Sequence, residues 1–181
     1  MKIILVIQKN GLQHNIYVSN KDYDLVKNHK WHVNKCGSTY YAISYMGGAK
    51  TKLHRFIMSA KKGQIIDHKN GNGLDNTRKN LRFCNRAENN KNRRPSGKTK
   101  YLGVSFNNCK RKYFSKKLQV EKIYCTIQIM STIKINGKKT FLGVFKTEIE
   151  AAIAYNEAAI KYHGEFARLN KINKMEDKSN G

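Results

Sequence analysis

The chain of 181 residues has one proline, one tryptophan and four cysteines, and twelve acidic residues against thirty-six basic ones. Each scarcity excludes something. The longest apolar run, Ile3 to Ile7, is far shorter than the roughly 20 residues of a membrane-spanning helix and too short for a secretory leader. Cys36, Cys84, Cys109 and Cys125 are scattered, with no Cys-x-x-Cys pair. That spacing argues against a disulfide framework or a zinc ribbon, and for reduced thiols that pack in a cytoplasmic protein. The shortage of acids leaves a net charge of +24 and a pI near 10.0. A compact fold so charged repels itself, so nucleic acid is the expected partner. A membrane surface fits poorly, because the charge does not follow an amphipathic helix. With 39% hydrophobic residues the chain has material for a core, unlike a disordered basic tail.

The charge is concentrated. Residues 1–60 carry a net +7, residues 61–117 a net +14 and residues 118–181 only +3. A surface that tracks a phosphate backbone belongs in the middle third. Pro95 lies in the basic run Arg93-Arg94-Pro95-Ser96-Gly97-Lys98, which reads as a linker. The expected division is a first domain over 1–94, a linker over 95–100, a second domain over 101–170 and a tail over 171–181.

In the first domain, Met1–Ile7 and Asn15–Val18 read as strands paired across the turn near Asn10-Gly11. Ser19 with Asp22 signals a short helix reaching about Asn28. Thr39–Tyr45 is β-rich and turns at Gly47-Gly48 into Lys50–Leu53. His54–Ser59 reads as a short helix, with Trp31, Tyr40 and Tyr41 as core.

Chemistry enters at Ile65–Asn92. Gln64–Asp67 is a short strand ending in adjacent Asp67 and His68, a loop rich in Asn and Gly follows, and Leu81–Cys84 is a second strand. Asn85 with Glu88 makes a capping box for a helix. Asn89, in its first turn, sits on a face that can look back at Asp67 and His68. A carboxylate, an imidazole and an amide oxygen so placed suit one hard divalent cation with positions left for phosphate and water.

The strings DHKNGNGLDN, NLR and NRAENN, with HRFIM upstream, resemble the HNH endonuclease family, particularly its phage and intron homing members. The resemblance covers about His54–Arg94 and implies a ββα-metal core at about 64–92. It implies that His68 is the general base, that Asp67 and Asn89 bind one divalent metal ion (Mg²⁺ or Mn²⁺), and that Asn80 fixes the loop and orients the imidazole. His54 either sits beside the metal site or caps its helix. Arg82, Arg86, Arg93 and Arg94 are candidates for phosphate contacts.

In the second domain Lys139–Phe145 reads as a strand. Thr147 and Glu150 cap a helix ending near Gly164, with a stripe of Ala151, Ala154, Tyr155, Ala158, Ala159 and Tyr162 that lets it sit close to a sheet. This pattern resembles the Apetala-two (ethylene-response-factor) DNA-binding domain. That resemblance implies a sheet laid in the major groove, with Lys110, Arg111, Lys112, Lys116, Lys117, Lys134, Lys138 and Lys139 as candidate DNA contacts.

The whole reads as an α+β, two-domain, metal-dependent endonuclease of homing type. It would be a monomer, phage-encoded and cytoplasmic, cutting double-stranded DNA. The rival is a DNA-binding regulator with a degenerate HNH fold.

Overall fold

The computed structural model describes residues 1–95, 99–115 and 120–172, and the side chains of all of these except 109–115 and 120–125. The chain forms two compact units, residues 1–93 and 94–181, and both mix helix with sheet.

In the first unit, strands β1 (Lys2–Ile7) and β2 (Gln13–Val18) form an antiparallel hairpin in the register Lys2↔Val18 to Ile7↔Gln13. Helix α1 (Asn20–Val26) follows. Strands β3 (His32–Cys36), β4 (Thr39–Met46) and β5 (Ala49–Lys52) make an antiparallel meander. The short helix α2 (Leu53–Ile57) leads to β6 (Ile65–His68), β7 (Asp75–Asn76), β8 (Leu81–Cys84) and helix α3 (Arg86–Lys91). Strand β6 pairs antiparallel with β8, while β7 joins the N-terminal hairpin in parallel, Tyr17↔Asp75 and Val18↔Asn76. Ile16, Val18, Val26, Leu53 and Ile57 are wholly or almost wholly buried at the centre, with Trp31, Leu74 and Leu81 around them. Truncating one such aliphatic side chain to alanine costs about 2–5 kcal/mol.

Two expectations change here. Ser19 precedes α1 but makes no side-chain cap bond, and the helix ends at Val26 instead of reaching Asn28. Its hydroxyl accepts from the Arg78 amide at 2.9 Å, and Asp22, almost wholly buried, accepts from the Arg78 guanidinium at 2.9 and 3.0 Å. A buried carboxylate needs a cation more than a helix needs a cap. Cys36 is exposed and Cys84 half-buried, so neither is a core residue.

In the second unit, β9 (Val104–Ser115), β10 (Val120–Ile135) and β11 (Lys138–Phe145) form a three-stranded antiparallel sheet with β10 in the middle. Helix α4 (Glu148–His163) packs on it through Ala151, Ala152, Tyr155, Ala158 and Ala159. Thr147 Oγ1 caps α4 by accepting from the Glu150 amide at 3.1 Å, and Gly164 ends it at φ 55°. The buried stripe is rotated from the one read in the sequence. Ala152 and His163 face inward, while Tyr162 is 45% exposed. The close approach explains the preference for small side chains: a Cβ at Gly103 would collide with the Tyr155 ring and the Thr132 carbonyl. Asn170 ties the segment after α4 to Leu102, accepting from its amide at 2.6 Å and donating to its carbonyl at 3.1 Å.

Candidate active site

Register builds the site. In the β6–β8 pair Asp67 lies opposite Arg82, and His68 opposite Leu81, so side chains of the first pair share one face. Arg82 Nε and Nη2 donate to Asp67 Oδ2 at 2.9 and 2.7 Å, and both side chains are about nine-tenths buried. Arg82 was expected to face phosphate. The structure gives it a buried carboxylate instead, because an uncompensated charge at this depth would cost several kcal/mol.

Helix α3 closes the site from the other side. Its capping box is complete: Asn85 Oδ1 accepts from the Glu88 amide at 2.9 Å and Glu88 Oε2 from the Asn85 amide at 2.8 Å. At the far end of the helix Asn92, buried, donates through Nδ2 to Asp67 Oδ1 and Oδ2 at 3.0 and 3.1 Å and to the His68 carbonyl at 2.9 Å. Asn89 is exposed. It lines an open groove of about 740 Å³ together with Tyr41, Lys50, Lys52, His54, Arg55 and Gln64, among others. Sequence reading placed the amide facing Asp67 at Asn89, whereas the direct hydrogen bonds to Asp67 come from Asn92, one turn further along α3.

The loop between the strands is tied together by its own amides. Asn80 Oδ1 accepts from the Asn70 amide at 3.0 Å, and its Nδ2 donates to the Asp75 carbonyl at 2.7 Å. Asn70 Nδ2 donates to Asp75 Oδ2 at 2.8 Å, and Thr77 Oγ1 to Asp75 Oδ1 at 2.7 Å. Asn80 thus spans the loop, but among the described contacts it does not touch the imidazole. The side chain at hydrogen-bonding distance from His68 is Asn76, whose Oδ1 lies 3.4 Å from Nε2.

His68 is 5% exposed and His54 6%. Their rings meet edge-on with centroids 4.9 Å apart, and Tyr41 leans on both at 5.6 and 5.8 Å. Burial lowers the pKa of each. His54 is pushed down to about 3, by desolvation first and then by the charges of His68, Lys52 and Arg55. For His68 desolvation again dominates, opposed by the contact with Asn76 and by the Asp67 and Asp75 carboxylates. Both imidazoles are therefore neutral at pH 7, and a neutral imidazole can accept a proton.

The chemistry of the donor set fits a hard divalent ion. Asp67 supplies the carboxylate, with Arg82 and Asn92 both donating to its Oδ2 and Asn92 also donating to Oδ1. Asn89 offers an amide oxygen at the groove wall. One carboxylate with neutral oxygens is how Mg²⁺ is usually held when it keeps water and phosphate as its other ligands. Among the described residues no three His, Cys, Asp or Glu side chains cluster.

A family model of the HNH endonucleases matches residues 52–91, the stretch from the end of β5 to the end of α3. An uncharacterized HNH endonuclease of Acanthamoeba polyphaga mimivirus is 33% identical over 163 residues, which cover 86% of this chain and 74% of the relative. The chain belongs to the HNH endonuclease family. No solved structure matches. HNH endonucleases hydrolyse phosphodiester bonds, typically with one divalent metal ion, and DNA is the substrate that membership implies. In this HNH endonuclease the matched stretch contains Asp67, His68, Asn80, Arg82 and Asn89. Asn92 lies one residue beyond it, and Tyr41 belongs to the preceding meander. Asn76, Asn92 and Tyr41 were missed because no local spacing marks them. Only the pairing of β7 with β2 and the packing of α3 bring the two asparagines inward.

The remaining candidates are scattered. Arg86 is exposed and lines a shallow groove with Gly63, Gln64, Ile65, Phe83, Cys84 and Asn85. Arg93 and Arg94 are exposed. Lys134, Lys138 and Lys139 are exposed at the β10–β11 turn. Lys110, Arg111 and Lys112 lie on β9, with side chains outside the described ones, and Lys116 and Lys117 lie outside the described residues. No helix among the described residues is long and apolar enough to cross a membrane.

Proposed function

We propose that this HNH endonuclease is of the homing type, cutting double-stranded DNA with Mg²⁺ or Mn²⁺. Residues 1–94 would carry the chemistry, and the Apetala-two-like residues 101–170 would hold the target. The observation that supports it best is the adjacency of Asp67 and His68 on β6. One is a carboxylate paired with the Arg82 guanidinium, the other an imidazole whose pKa burial lowers. Phosphodiester hydrolysis needs both at once.

His68 takes a proton from water as the oxygen attacks phosphorus. Asp67 and Asn89 would hold the metal, and Asn80 braces the loop between the strands. The metal, when bound, supplies positive charge against the developing charge on phosphate and leaving oxygen. Arg82 orients the Asp67 carboxylate, and Asn92 ties that carboxylate to the backbone of His68. Lys50, Lys52 and Arg55 line the adjoining groove and give a DNA strand a positively charged wall.

The support for targeting by the second unit is the β10–β11 hairpin. Lys134 and Lys139 are directly opposite one another, and like charges so placed repel. A phosphate backbone relieves that repulsion.

Plasmid nicking tests the reading. The wild-type chain converts supercoiled plasmid to nicked or linear form with Mg²⁺ or Mn²⁺, and a chelator abolishes the conversion. H68A, D67A and N89A each lose cleavage while retaining DNA affinity, because binding rests on many lysines and arginines. Wild-type-like nicking by H68A overturns the general base, and a wild-type chain that binds DNA but never cuts it favours the regulator.

A further inference from the structure

Asn76 is wholly buried, on a two-residue strand that pairs with the N-terminal hairpin. An amide at that depth must find partners for both its ends, since an unpaired polar group there costs about 1–3 kcal/mol. Its two side-chain contacts are with Gly73 and His68. The carbonyl oxygen of Gly73 lies 3.4 Å from Asn76 Nδ2, and His68 Nε2 lies 3.4 Å from Asn76 Oδ1. The first contact settles which way the amide points. A carbonyl only accepts, so the NH₂ end must face Gly73 and the oxygen must face the imidazole. An oxygen also only accepts, so Nε2 must carry a hydrogen. A neutral imidazole has one N–H, and Nδ1 is left with the lone pair.

The other ring nitrogen is held by no such contact. Among the described residues, the buried side-chain polar atoms without a partner are His14 Nε2, Ser131 Oγ and His163 Nδ1. His68 Nδ1 makes no hydrogen bond to another described residue.

We infer that Asn76 is the positioning residue of the general base: it locks His68 in the Nε2–H tautomer, so that Nδ1 is the atom that takes the proton. The inference rests on His68 being the base. In the step, a water O–H bond breaks and an Nδ1–H bond forms. The water's electron pair goes to phosphorus, the bond from phosphorus to the leaving oxygen breaks, and that oxygen takes a proton from solvent. The imidazolium keeps its Nε2–H on Asn76 throughout. The resemblance assigned the orienting role to Asn80, but the contacts of Asn80 are with the Asn70 amide and the Asp75 carbonyl, which brace the loop and leave the ring to Asn76.

Ring-nitrogen NMR of the full chain labelled with ¹⁵N-histidine, at neutral pH and without metal, reads the tautomer directly, and needs neither cleavage nor a variant. His68, assigned by its loss in H68A, is expected as the Nε2–H form. The Nδ1–H form, or a mixture, in the wild type overturns the proposal. Asn76→Ala is expected to give a tautomer mixture and a kcat lower by roughly 10- to 100-fold, the usual range for losing a group that orients another, with KM within about twofold. Asn76→Asp keeps an acceptor toward Nε2 and is expected to restore the single tautomer. A folded N76A chain with an unchanged tautomer also overturns it. If instead the tautomer is as expected but H68A still nicks, the assignment of the base fails while the lock on the ring stands.

Discussion

The two units bury different things. Residues 1–93 enclose Asp22, His54, Asp67, His68, Asn76, Asn80 and Asn92 beside an aliphatic core, whereas the described part of residues 94–181 encloses alanines, Ile133 and Tyr155 with fewer polar side chains, among them Asn170 and Ser131. The first unit therefore carries charges and amides that are stable only in company, each held by a specific donor or acceptor. The second keeps its charge outside, on exposed lysines such as Lys134 and Lys139. One unit tolerates burial cost to shape a reaction site. The other leaves lysines such as Lys134 and Lys139 exposed over a largely apolar core. The contrast also explains why net charge alone is a poor guide to the chemistry: the middle third of the sequence is the most basic, yet Arg78 and Arg82 within it are engaged internally.

Separating the units should break the comparison or prove it, with an all-or-none effect. A fragment of residues 1–94 should keep metal-dependent nicking and lose site preference. A fragment of residues 94–181 should bind DNA and never cut it. In binding measured against salt, each lost phosphate contact flattens the log–log slope by roughly 0.9, so losing about four contacts flattens it by about 3–4. A C-terminal fragment with no DNA binding at low salt would move targeting to the first unit.

Two basic residues sharpen the contrast further. Removing the Arg82 side chain leaves the Asp67 carboxylate buried without its cation, and R82A should lose about 3–5 kcal/mol of stability in denaturant titration. K134A should stay within about 0.5 kcal/mol of wild type. An R82A chain as stable as the wild type would mean that the buried pair contributes no more than a surface one.

Acid should discriminate the units by about 2 kcal/mol. His54 folds with its pKa depressed from 6.5 to about 3, so the unfolded chain binds the proton more tightly. The stability is fully present above pH 6.5 and falls by about 1.4 kcal/mol per pH unit between 6.5 and about 3. Unfolding of the first unit should lose about 2 kcal/mol between pH 6.5 and 5, and H54F should remove that part of the slope. Smaller losses than these are expected at the helix caps. N85A and T147A should each cost about 1 kcal/mol, but only N85A should also slow cleavage, because α3 carries Asn89 and precedes Asn92 whereas α4 carries no site residue.

The sequence made the local parts of this architecture readable. The hairpin of β1 and β2, the capping box of α3, the Thr147 cap of α4 and the adjacency of Asp67 and His68 depend on neighbours close in the chain, where periodicity and turn chemistry speak. What it hid depends on register and packing. Arg82 faces Asp67 because β8 pairs with β6 without a slip, and a one-residue shift would have turned it to the opposite face. Asn92 rather than Asn89 meets the carboxylate because of how α3 lies on β6. The rotation of the α4 stripe has the same origin: alanines at 151, 152, 154, 158 and 159 permit more than one inward face, and the sheet chooses.

The parallel contact between β2 and β7 has a kinetic consequence. Tyr17 and Val18 meet Asp75 and Asn76, and the Arg78 amide reaches Ser19 across 59 positions of chain. Closures of that span come late in folding, because the loop entropy must be spent before the contact rewards it. The strand that carries Asn76, and with it the setting of His68, is therefore completed by residues from the opposite end of the unit. A partly folded or nascent chain that has already formed the β6–β8 pair still lacks that closure, so cutting competence should arrive with the last cooperative step and not before it. For a nuclease made inside a cell full of its own substrate class, that order of events delays damage until the whole unit is in place.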